Sequence, residues 1–76
     1  MQPIEEEERA KCISATFALL TAKLEDAAGL AVDGQAPRPE GELREIARQV
    51  TELTEEAAIV SGALCVLLSP AGSGEP

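Results

Sequence analysis

Histidine, tryptophan and tyrosine are missing from this chain, and Phe17 is its one aromatic residue. Without histidine, the commonest general base and the commonest zinc ligand are both gone. Without aromatics, the side chains that usually supply most of a small core's buried area are gone too. Cysteine is nearly absent as well. Cys12 and Cys65 are too few for a disulfide framework and have no histidine beside them for a zinc site. Both lie in apolar stretches, where a free thiol behaves as a small hydrophobe, which fits a reducing, cytoplasmic compartment. Basic residues are scarce: six stand against fourteen acidic ones, for a net charge of −8. That sign excludes nucleic-acid and anionic-membrane binding, which need clustered Lys and Arg. The excess negative charge serves solubility instead.

Seventy-six residues allow one small domain. A chain of this size buries only about 60% of its extended surface, so partners or staples become important. The opening "IEEEER" stands where a secretory signal would place a cationic stretch and an apolar core, so none is expected.

What is present is helical periodicity. Ala10, Ile13, Phe17, Leu20, Leu24 and Ala27 step by three and four, the spacing of one helical face. Pro3 suits a first helical turn, and Glu5 to Glu8 set negative charge against the positive end of the helix dipole. Glu5 with Arg9 and Glu7 with Lys11 stand four apart, the spacing of weak ion pairs. Gly29, followed by Leu30, fits a helix stop. The stretch "LAVDGQAPRP" carries a turn signal at Asp33-Gly34 and two prolines. Beyond it Leu43, Ile46, Val50, Leu53, Ala57, Val60, Leu64 and Leu67 step 3-4-3-4-3-4-3, a heptad seam. No stretch alternates with period two. The chain therefore reads as all-α, an antiparallel two-helix hairpin within 1–69: a helix over about 3–28, a loop over 29–39, a helix over about 40–68, and a flexible tail over 70–76. The ten-residue connector "LAVDGQAPRP" would pair positions whose numbers sum to roughly 70. That register sets Phe17 near Leu53, Leu20 near Val50 and Leu24 near Ile46. Ile13, Phe17, Leu20 and Leu24 with Leu43, Ile46, Val50 and Leu53 form the expected intrachain seam.

The run "AAIVSGALCVLL", Ala57 to Leu68, has no charge. It is shorter than the roughly 20 apolar residues of a membrane span, so insertion is not expected. Its apolar residues surround the helix on nearly every side, as in a buried helix. In the expected register the glutamate-rich start of the first helix faces this run and covers little of it. Another protein chain, or a second copy of this one, is the covering that remains. The expected interface is Ala58, Ile59, Gly62, Ala63, Leu64, Cys65, Val66, Leu67 and Leu68, joined by Cys12 and Leu19 of the first helix. Small residues there would let a partner backbone approach closely.

No catalytic constellation stands out. Glu55-Glu56 and Glu5 to Glu8 fall on solvated faces, no seam position is acidic, and no base accompanies a candidate nucleophile. Gly72-Ser73-Gly74 lacks the strand and helix that a phosphate loop requires. No cofactor, metal or enzyme activity is expected. Two readings stand beside the docking module: an acidic regulator or mimic that binds a basic protein surface, and a homodimeric four-helix bundle of structural role.

The segment "IARQVTELTEEAAIVSGALCVLL", following a first helix and a loop, resembles the second helix of the small helical-hairpin subunits in heterodimeric chaperones of type III secretion needle proteins. The likeness lies in the length and order of the helices. The "EEEE" start and the Pro-containing loop are not part of it. The resemblance implies a bacterial cytoplasmic co-chaperone that packs on a helical-repeat partner, the pair together holding the needle subunit.

Overall fold

A computed structural model describes residues 3–69, with side chains described from Glu6 onward. The expected tail over 70–76, its Gly72-Ser73-Gly74 and the Glu5 side chain lie outside the described residues. The fold is an all-α hairpin of two antiparallel helices, α1 (Pro3–Asp33) and α2 (Glu40–Leu67). The connection is the six residues Gly34 to Pro39.

The first helix therefore runs five residues past its expected end. Gly29 does not stop it. A helical glycine costs only about 1 kcal/mol relative to alanine, whereas the next turn brings Leu30 onto α2 as a half-buried contact. The chain leaves the helix at Gly34, whose N–H still donates to the Leu30 carbonyl at 3.0 Å. Gly34 is also the point of close approach: a Cβ there would meet the Ala31 carbonyl oxygen at 3.4 Å and Ile46 Cγ2 at 3.6 Å. Arg38 closes the turn. Its Nε donates to the Asp33 carbonyl at 2.9 Å, and its Nη1 lies 3.6 Å from Glu42 in the first turn of α2. Pro39 provides no side-chain cap for α2, and Glu40 with Glu42 supply the favourable negative charge there instead.

The shorter loop also moves the register. Gly34 meets Ile46, Lys23 pairs with Glu56, and Arg9 reaches the end of α2 at Leu67. Facing positions thus sum to about 78 rather than the expected 70, a slide of about four residues per helix. The α2 seam is as the heptad pattern predicts: Leu43, Ile46, Val50, Leu53, Val60 and Leu67 are half-buried, and Ala57 and Leu64 are buried. The α1 seam is not. It runs through Ile13, Thr16, Leu20, Lys23, Ala27 and Leu30, again in steps of three and four. Phe17 and Leu24 fall beside it, 46% and 48% exposed. Two polar residues occupy the seam because a two-helix interface is one stripe wide. The stem of Lys23 can lie along it while its ammonium reaches Glu56 at 2.8 Å, and Thr16 donates its hydroxyl proton to the Cys12 carbonyl of its own helix.

The helical backbone at Gly29, where an added methyl group would find no atom within 4 Å, sets up a test of this chain course. Gly29→Ala should stabilise the fold by about 0.5–1 kcal/mol. Chemical denaturation checks this; destabilisation would mean that Gly29 ends the helix in a left-handed conformation.

Candidate interaction surface

Among the described residues three are buried: Ala27, Ala57 and Leu64. Leu64, expected at the interface with another chain, is instead among the best-covered side chains of the hairpin at 4% exposure. The slide in register explains this. Position 64 now lies opposite the turn of α1 around Ile13 and Ser14 rather than opposite its glutamates. Leu67 is likewise half-buried, and the Arg9 guanidinium donates to its carbonyl oxygen. A cation at the C-terminal end of α2 offsets the negative end of that helix dipole. The expected contrast between a closed loop end and an open distal end is corrected accordingly. Phe17 and Leu24 are half-exposed, and Ala31, Leu43, Ile46 and Val50 line an open groove of about 570 Å³ near the loop.

The other expected interface residues are exposed: Cys12, Leu19, Ala58, Ile59, Gly62, Ala63, Cys65, Val66 and Leu68. They do not share one face. At about 100° per residue, the hairpin has two broad sides and two narrow edges. The Lys23–Glu56 pair marks one broad side. Cys12, Leu19 and Ala63 lie there, along with Glu45, Gln49 and Glu52. The groove marks the opposite broad side, since Ala31 and Gln35 line it together with Ala47 and Thr51. Ala58, Cys65 and Leu68 continue that side of α2. Gly62 lies on the outer edge, pointing away from α1, and Ile59 and Val66, in the same seven-residue row as Glu45 and Glu52, lie between that edge and the Lys23–Glu56 side. Ile59 and Val66, one heptad apart, are 73% and 75% exposed.

The groove side carries a second heptad pattern that hydrophobicity alone does not reveal. On α1 Phe17, Leu24 and Ala31 are seven apart, with Ser14, Thr21 and Ala28 between them. On α2 Ala47, Thr54, Ser61 and Leu68 are seven apart, with Thr51, Ala58 and Cys65 between them. Neither row contains a charged residue. The threonine hydroxyls are spent locally: Thr21, Thr51 and Thr54 donate to the Phe17, Ala47 and Val50 carbonyls at 2.9, 3.0 and 2.9 Å. Such back-bonded threonines ask nothing further of a neighbour.

Charge gathers on the other side of α2. Arg48 pairs with Glu45 and Glu52, and Gln49 donates to Glu45 at 2.9 Å. The Arg48 hydrogen bond, and then that of Gln49, hold the Glu45 carboxyl down at about 2. The same Glu45 contact raises Arg48 further above its ordinary value. This cluster is solvent-exposed and intrahelical, an arrangement that supports a helix surface rather than proton transfer. Among the described residues no group of three or more His, Cys, Asp and Glu could hold a metal ion, and no helix is long and apolar enough to cross a membrane. Cys12 and Cys65 are free thiols. The observed register brings them level along the hairpin, yet they sit on opposite broad sides. No protein-family model, curated protein or solved structure matches the chain.

Two measurements follow from this geometry. Leu64→Ala should cost about 2–4 kcal/mol, because it opens a cavity in the narrow core, as denaturant titration can read out. Glu45 is depressed in the folded state, so its contribution to stability is present above the ordinary glutamate range and lost as pH falls through about 2. Arg48→Met should return the Glu45 midpoint toward the ordinary value in a carboxyl-carbon NMR titration; an unchanged midpoint would show that Arg48 is not the cause.

Proposed function

We propose that this chain is a non-enzymatic protein-interaction module, an acidic helical hairpin whose second helix docks on another protein chain. The observation that carries the reading is the pair Ile59 and Val66, on a part of α2 that nothing in the hairpin covers. Covering each would gain roughly 1.5–3 kcal/mol. Gly62 between them, with Ala63 beside it, permits close backbone approach. Adaptor, co-chaperone and assembly-subunit roles in the cytoplasm share this mode of docking, the needle co-chaperones that α2 resembles among them. An enzyme reading has no support from the residues: no histidine is available, and Glu45, the carboxylate that its neighbours hold low, belongs to an exposed ion-pair cluster.

Val66→Asp tests the proposal. Val66 lies off the seam, so the variant should keep most of its helical circular-dichroism signal, while burial of an unpaired carboxylate in a docked complex is costly. Affinity capture from the native lysate should lose its co-purifying protein. Equal capture by Val66→Asp and the parent at matched concentration would remove this part of α2 as the docking surface.

A further inference from the structure

We infer that the groove side of the hairpin is a self-association face, on which a second copy of this chain packs to form a four-helix bundle. This surface is distinct from the Ile59–Val66 row, and either can hold a partner without the other.

Charge selects the kind of occupant. With fourteen acidic residues in the chain, the rows from Ser14 to Ala31 and from Ala47 to Leu68 on this side still carry none. A basic partner would find nothing to pair with there. A copy bearing the same charge of −8 can approach only through a face like this one.

Size complementarity selects the copy. In the observed register Phe17 lies level with Ser61, and Leu24 with Thr54. The bulky residues of the face are on α1, and small ones stand at the same height on α2. A two-fold axis parallel to the helices sets α1 of one copy over α2 of the other at constant height. Phe17 then enters the gap over the second copy's Ser61, Leu24 enters that over Thr54, and both contacts occur twice. Such a two-fold contact is self-complementary by construction, and each helix gains a second antiparallel neighbour, as in a four-helix bundle. The threonine methyls and the thiol of Cys65 add apolar surface without bringing unsatisfied donors.

The area suffices. About 30 Å of helix and a width of about 20 Å give a footprint on the order of 600 Å². Side-chain relief brings this near the roughly 800 Å² per partner of a stable interface.

The two cysteines provide a test in the unaltered protein, since Cys65 lies on this face and Cys12 on the opposite side. Sedimentation equilibrium from micromolar to near-millimolar concentration should show a monomer–dimer equilibrium that tightens with added salt, as screening reduces repulsion between like-charged copies. Over the same range, per-residue thiol alkylation read by mass spectrometry should slow at Cys65 and not at Cys12. Ala58→Glu should weaken the dimer at least about tenfold, whereas Ile59→Glu, off this face, should leave it intact. If Ala58→Glu loses helicity, the alkylation contrast in the parent decides. A parent that stays monomeric, a trimer or larger assembly, or a dimer with equal protection of both thiols would each overturn the inference.

Discussion

Two helices lying side by side have no interior. Each can turn one stripe toward the other, and every other residue faces outward, whatever its chemistry. In this hairpin the stripe is narrow, and two of its three buried members are alanines. Ala27 and Ala57 let the helices approach, and Leu64 is the large side chain buried with them among the described residues. Such a core is marginal at this length, and the rest of the molecule reflects that constraint. Phe17, Leu24, Ile59 and Val66 keep much of their surface in water, where each forgoes stabilisation comparable to that of the core contacts themselves.

Charge is distributed around the same constraint. Five of the six cations are used within the fold rather than offered to a ligand. Arg9 satisfies a carbonyl at the end of α2, Lys23 crosses the seam, Arg38 closes the turn, and Arg44 and Arg48 pair along their own helix. Exposed pairs of this type contribute only tenths of a kcal/mol each. The middle of the groove side, Ser14 to Ala31 and Ala47 to Leu68, stays free of charge, and Ile59 and Val66 stand exposed on α2 beyond Glu55 and Glu56.

The second helix was legible in the sequence because its seam is also its most hydrophobic row. Leu43 through Leu67 keep one phase over nearly four heptads, and the structure retains it. The first helix was harder to read because two rows compete for the inner face. Phe17 and Leu24 made the more hydrophobic row, but the row with Thr16 and Lys23 faces α2, since a lysine stem and a back-bonded threonine are tolerated at the margin of so thin an interface. Gly29 looked like a stop because glycine often ends helices, yet Leu30 holds one more turn in place. That single misplaced end moved the register by several residues and with it the expected partners of Leu64. The neutral row on the groove side left little trace in hydrophobicity, because Ala, Ser and Thr carry a weak signal. Its seven-residue repeat appears only when charge is tracked in place of apolarity.

We propose that this hairpin does not satisfy its apolar surface alone and folds most stably with a second copy against it. Thermal unfolding followed by circular dichroism across a hundredfold range of protein concentration tests this most directly. An associating fold gains stability by mass action, so the midpoint should rise steadily with concentration. A midpoint independent of concentration over the whole range would show instead that the hairpin is self-sufficient.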